Sequence, residues 1–211
     1  MFGYTRIFGI AVMALCTSCS FMINGDGNDD DQHTGDEKKQ KPVSVAASSL
    51  FPFRDNDNWW MYTEQGGNRL RIEISDTISD DNVTYYRVSF MEEMVDTTDD
   101  WFMQYSGGTF YGESLTGTYH RFLPSRISTA GDTFTADCRT VTCLWKDSVT
   151  CNATEFKRAV ILKYSSPIIH GFDTIVLADS IGIVELVDDD GRWTIRYELD
   201  SCSINGITQR W

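Results

Sequence analysis

Arg192-Trp193-Thr194-Ile195-Arg196-Tyr197-Glu198-Leu199 is the stretch whose pattern decides the fold. Its apolar residues, Trp193, Ile195, Tyr197 and Leu199, fall at every second position and alternate with charged or hydroxylated ones. Successive side chains of an extended chain point to opposite faces, so a period of two describes a strand with one face to bury and one for water. The same period recurs upstream. Leu70, Ile72 and Ile74 alternate with Arg69, Arg71 and Glu73, and Tyr86, Val88 and Phe90 alternate with Tyr85, Arg87 and Ser89. Gln65-Gly66-Gly67-Asn68 and Asp188-Asp189-Asp190-Gly191 read as hairpin turns, because Gly, Asn and Asp accept the positive φ that tight turns require. Half-buried strands joined by short turns belong to antiparallel sheets. No segment supports an amphipathic helix of three turns; the best short helical piece lies around positions 46–50. The expected fold is all-β, an antiparallel sandwich or an open, strongly curved sheet of about 8–11 strands with little helix.

Upstream of position 43 the pattern changes twice. Residues 1–19 carry a short cationic start ending at Arg6, an apolar run over 7–15, and Cys16-Thr17-Ser18-Cys19. That run is too short to span a bilayer and matches an export leader. Small residues immediately before Cys19 give the chain the look of a bacterial lipoprotein signal, with Cys19 lipidated and beginning the mature protein. Cys16 would place bulky Leu15 at the cleavage bond, which makes it the poorer acceptor. Several acyl chains on one cysteine anchor a protein stably where one chain is marginal. An ordinary secretory leader is the rival reading. Residues 20–42 are polar and rich in Gly and Asp, a composition that cannot offset its own ordering entropy. They read as an acidic tether averaging roughly 25 Å in reach. Asp29-Asp30-Asp31 resembles, displaced, the acidic patch that sends some lipoproteins to the cell exterior. Residues 43–211 form the single β-rich domain.

Beyond Cys19 the chain has 192 residues, and loss of Arg6 with the leader takes the net charge from −13 to −14. That length suits one domain with a sizeable core. Its acidity argues against nucleic acid and anionic lipid surfaces, both of which select clusters of Lys and Arg. Four cysteines remain: Cys138, Cys143, Cys151 and Cys202. An even number in an oxidising compartment predicts two disulfides. If Lys146-Asp147-Ser148 closes a hairpin, Cys143 faces Cys151 and leaves Cys138 for Cys202. Zinc is the competing use, but the spacings lack a C-x-x-C pair.

Several short motifs follow in an informative order. Phe51-Pro52-Phe53 precedes Asn58-Trp59, with Tyr62 beyond; later come Gly131-Asp132-Thr133-Phe134, then the run from Val149 to Phe156, and finally Ala178-Asp179-Ser180-Ile181-Gly182-Ile183-Val184. Together they resemble a broad class of bacterial exported lipoproteins of unknown function with a β-rich domain. Such proteins carry an aromatic-Pro segment before an Asn/Gly-x-Trp strand, a Gly-Asp-Thr-aromatic element, and a Gly-x-Val strand near the C-terminus. The likeness spans positions 48–202. It implies a β-rich domain outside the cytoplasm and transfers no catalytic residue.

Chemistry is sparse. His33, His120 and His170 each stand alone, and there is no H-E-x-x-H, no nucleophile elbow around Gly112-Glu113-Ser114, no phosphate-cradling loop and no redox C-x-x-C. The acidic clusters Asp80/Asp81, Asp96/Asp99/Asp100 and Asp188–Asp190 read as solvated turns rather than a glycosidase pair. Asp55-Asn56-Asp57-Asn58 offers alternating oxygen donors to calcium but lacks the Gly and terminal Glu of an EF-hand loop. No metal or other cofactor is expected. Aromatics are the remaining lead. Trp59-Trp60 on a strand must send one indole inward and one outward, and Trp101, Met103 and Tyr105 share a face opposite Phe102. Trp60, Trp101, Tyr105 and Tyr111 are therefore the binding residues to consider, stacking on sugar rings or anchoring a protein. The alternative is that these rings fill the core of a curved sheet.

The functional expectation is a lipid-anchored cell-envelope protein with a non-enzymatic binding or structural role, located at the outer membrane, on its periplasmic side or on the cell surface. It touches the membrane through its N-terminal lipid and takes a protein or glycan partner. Two alternatives stand beside it: a carrier that encloses a lipid or other hydrophobic ligand in a curved-sheet cavity, and an unrecognised hydrolase.

Overall fold

The computed structural model describes residues 44–51, 57–93, 95, 97–136, 139–167 and 169–211. The leader, the tether, Cys19, Cys138, Pro52-Phe53 and Asp55-Asn56 lie outside the described residues. Strand β1 (Ser44–Ala46) runs into a 3₁₀ turn (Ala47–Leu50) at the site of the short helical piece read from the sequence. An antiparallel meander follows: β2 (Trp59–Glu64), β3 (Arg69–Asp80), β4 (Val83–Glu92), β5 (Thr98–Tyr105), β6 (Gly108–Gly112) and β7 (His120–Pro124). A short strand, β8 (Arg126–Ser128), pairs back onto β1. The second meander comprises β9 (Asp132–Ala136), β10 (Arg139–Cys151), β11 (Thr154–Tyr164), β12 (Thr174–Ala178), β13 (Gly182–Asp189) and β14 (Thr194–Ile204), with β15 (Ile207–Arg210) folded onto β14.

Antiparallel pairing of β14 with β2 joins the two meanders into one sheet of thirteen strands among the described residues. The end strands β7 and β9 approach each other to within 8 Å at Cα, so the sheet curls into a nearly closed barrel. Fifteen described strands exceed the expected count because short pieces such as β1, β8 and β15 carry too few residues to show a period. The predicted inward residues Leu70, Ile72, Ile74, Tyr86, Val88, Phe90, Tyr197 and Leu199 are all buried. Trp193 is not: it is 73% exposed. The carboxylate of Asp190 accepts the backbone N–H groups of Arg192 and Trp193, each at 2.8 Å, which keeps Trp193 in the turn and starts the strand one residue later.

The interior is sealed from the N-terminal side. Leu50 and Phe51 are buried, and Phe51 stacks on Phe102 at 5.5 Å and meets Phe122 edge-on at 5.4 Å. Two backbone bonds hold this segment across the barrel, Ala47 N–H to Ser125 O and Ser180 N–H to Ser49 O.

The expected disulfides are corrected by the strand register. No hairpin forms at Lys146-Asp147-Ser148; β10 runs straight through it and turns at Asn152-Ala153, both with positive φ (46° and 60°). Cys143 and Cys151 therefore lie eight residues apart on one strand, about 26 Å, where a bridge needs Cα atoms within about 7 Å. Cys143 pairs with Leu162 and Asp132 across the ladder, Cys202 with Trp60 and Gln209, and Cys151 donates to Glu185 Oε2 at 3.4 Å. Cys143, Cys151 and Cys202 are buried free thiols. Burial first, then nearby Asp132, pushes the Cys143 thiol up to about 12; burial pushes Cys202 up to about 11.

Both groups titrate higher folded than unfolded, so their stabilising effect is complete below the ordinary thiol range and fades as pH rises through 11 to 12. Iodoacetamide at pH 8 should leave all three thiols unmodified in the native protein and label all three in urea. A disulfide between any two of them in a non-reducing peptide map would refute the assignment.

Candidate functional site

Strand alternation sorts the aromatic residues into two populations. Trp60 and Tyr62 point inward from β2, where the indole Nε1–H donates to Ile181 O at 2.6 Å and the phenol donates to Ile183 O at 3.0 Å. Trp59 points outward, with the Arg71 guanidinium 5.2 Å from its ring centre. Tyr111 also faces inward and is buried, 5.6 Å from Phe102. Of the four aromatics singled out in the sequence, Trp60 and Tyr111 are parts of the core, and Trp101 and Tyr105 stand on the outer face.

That outer face gathers more than those two. Register pairs Ile78 with Tyr85, Tyr85 with Met103, Met103 with Phe110, and Phe110 with Arg121, one continuous row across β3 to β7. Tyr105 stacks on Phe110 at 4.9 Å with rings 16° from parallel, and Arg121 lies 5.8 Å from the centre of the same ring. Tyr119 meets Tyr85 edge-on at 6.0 Å. Its ring lies against Gly112, where an added Cβ would come within 3.1 Å of it. Burial, then the neighbouring Tyr85, pushes the Tyr119 phenol up to about 12. Sequence reading placed Phe110 and Tyr119 only as the next aromatics along the chain and missed Tyr85 and Arg121 as members of this face; period-two alternation is legible within each strand, but the register between strands is not.

Beside the row lies a polar corner. Trp101 sits opposite Arg87, and Asp99 opposite Ser89. Ser89 donates to Asp99 Oδ1 at 2.6 Å and lies 3.1 Å from the Ser75 hydroxyl, and Arg87 pairs with Asp99 Oδ2. The Ser89 hydrogen bond above all, helped by Arg87, holds the Asp99 carboxyl below its usual range. Across from Trp101 on the other side is Gly112, which contributes no side chain.

A second cluster ties the connection between β11 and β12 to β4 and β5. At the tip of that connection His170 and Gly171 both have positive φ (48° and 89°), and Ile169 pairs with Phe172 across them. His170 lies against Phe90, ring centres 4.1 Å apart and tilted by 44°, and brings Nε2 to 2.6 Å from Oδ2 of buried Asp100. Tyr111 bonds to Asp100; burial first, then the carboxylate, drives its phenol well above the usual range. Thr98 Oγ1 stands 3.5 Å from His170 Nδ1. In outline this is a hydroxyl–imidazole–carboxylate chain. The long hydroxyl distance and the Phe90 ring packed against the imidazole make it a lock that holds the turn to the barrel wall.

Elsewhere the expected features are structural. Asn58 is buried and its Oδ1 accepts the Asn205 N–H at 2.8 Å, so that oxygen is engaged inside the fold. Among the described residues, no group of three or more His, Cys, Asp or Glu side chains could hold a metal ion. The apolar cavity lined by Phe51, Trp60, Ile72, Val88, Phe90, Phe102 and Ile183 encloses about 10 Å³, room for about one water molecule.

No family model matches the chain, and no curated protein does. Among solved structures it is similar to a "putative lipoprotein" from Parabacteroides distasonis, at 12% identity and a TM-score of 0.42, over 72% of this chain and 98% of that one.

A double-mutant cycle tests the lock. His170→Ala leaves a buried carboxylate without its imidazole and should cost about 1–3 kcal/mol in urea unfolding at pH 7. His170→Ala and Asp100→Asn together should cost less than the sum of the two, by about 1 kcal/mol. Strict additivity would show that the 2.6 Å approach carries no energy.

Proposed function

We propose that this chain is a lipid-anchored binding protein of the bacterial envelope, whose β domain engages its partner on the outside of the sheet. One observation carries the reading: Tyr85, Trp101, Tyr105 and Phe110 stand together on the outer face of β4–β6, while the apolar cavity inside, beside Phe51, is small. A pocket for a drug-sized ligand occupies at least about 300 Å³, against about 10 Å³ in the apolar cavity beside Phe51. The interior thus favours an external partner over an enclosed lipid. Tyr, Trp, Phe, Met and Arg are the residues enriched where surfaces bind, because they bury large area at low entropic cost. Here Tyr105, Phe110 and Arg121 are already stacked on one another before any partner arrives. The anchor rests on the sequence around Cys19, and the acidic tether supplies the reach between membrane and domain.

Cys19→Ala should move the protein from the membrane fraction to the soluble fraction. Retention in the membrane would sink the anchor assignment. Benzoylphenylalanine placed at Trp101 or Tyr105 should give a discrete cross-linked species in intact cells. The same group at exposed Trp193, away from the row, should give none. Identical products from all three positions, or none at all, would count against the outer face.

A further inference from the structure

Resting on that reading, we infer that the occupant of the outer face is a neutral glycan chain. Size is the first ground. The row Tyr85–Met103–Phe110 crosses three adjacent strands, and Trp101 and Tyr105 flank it on the same face four residues apart on β5. At ~4.8 Å between strands and ~3.3 Å per residue, the platform measures about 10 by 13 Å. A stable protein interface buries about 800 Å² on each partner, several times this area. A strip of such width suits a thin, linear ligand, two or three sugar rings in length.

Chemistry is the second ground. A sugar ring presents C–H groups on its faces and hydroxyls around its rim. Flat apolar side chains next to hydrogen-bonding groups match that pattern. The platform supplies the indole of Trp101 and the ring of Tyr105, which is 40% exposed. Beside Trp101 the polar corner supplies Arg87 and Asp99, paired with each other and held from beneath by buried Ser89, so that they are oriented before binding. Opposite Trp101 the ring of Tyr119 covers Gly112 and extends the aromatic surface beside the indole.

Charge is the third. Arg87 is neutralised by Asp99, and the Arg121 guanidinium lies over Phe110. With a net charge of −13 over the whole chain, a polyanion would be repelled on approach. A neutral chain meets no such barrier.

The test uses the anchored protein extracted in detergent, applied to an array of neutral hexasaccharides (of glucose, mannose, xylose and N-acetylglucosamine) and of acidic uronic-acid oligomers. Binding to at least one neutral member with quenching of tryptophan fluorescence is expected. Trp101→Ala and Tyr105→Ala should each weaken that binding about tenfold, and Trp193→Ala should leave it unchanged. Trp101→Phe, with an unchanged melting temperature, keeps the comparison valid if the alanine variant unfolds, and should lose affinity by a smaller factor. Binding to acidic oligomers alone, to no member, or with equal strength in the Trp101 and Tyr105 variants would overturn the inference. A cross-linked protein at Trp101 together with an empty array would remove the glycan while leaving the outer face as the binding surface.

Discussion

The ladder between β14 and β2 is the constraint on which the rest of this structure depends. It pairs Tyr197 with Glu64, Leu199 with Tyr62 and Cys202 with Trp60, residues separated by more than 130 positions. Each meander on its own is a local affair of hairpins, and among the described residues this is the backbone ladder that joins them. It is reinforced from within by two side chains of β2: the Trp60 indole and the Tyr62 phenol both donate to carbonyls of the 181–183 segment. A buried indole or phenol left without an acceptor is costly, so these bonds fix how far β13 sits from β2. Loop closure over such a separation is entropically expensive and is recovered only when the apolar faces of both meanders meet.

Once the sheet curls, the inside is limited in volume. Phe51, delivered by the segment ahead of β2, packs between Phe102 and Phe122, and the apolar cavity it lines holds about 10 Å³. The strands β4, β5 and β6 alternate faithfully, so each inward aromatic such as Tyr86, Phe102 or Tyr111 is matched by outward neighbours at Tyr85, Trp101, Met103 and Phe110. The aromatic outer face is thus the reverse side of the core, built by the same period of two.

Legibility followed the length of each element. Leu70, Ile72 and Ile74 could be assigned to the interior because three alternations leave no ambiguity, and the Gly66-Gly67 turn beside them is chemically explicit. The β10–β11 turn was misplaced because Ala153 stands where Gly is expected after Asn152, and the polar Lys146-Asp147-Ser148 looked the better break. That single error created the disulfide between Cys143 and Cys151. Trp193 was assigned inward on periodicity alone, while the Asp190 carboxylate ended the period one residue sooner. At the site, Trp101 and Tyr105 were legible as outward residues; Tyr85, Phe110 and Arg121 were not connected to them, because neighbouring strands declare no register in their sequences.

By itself the sequence determined an all-β chain of antiparallel hairpins and which face of each long strand is apolar, since side-chain direction along a strand is a property of the local backbone. Tertiary structure alone decided that the two meanders close into one curved sheet, that the cysteines stand apart, and that His170 reaches Asp100. It also decided that one row, from Ile78 through Tyr85, Met103 and Phe110 to Arg121, spans five strands. All of these depend on which residues face each other across a ladder, and register is set by packing between distant segments rather than by any one of them.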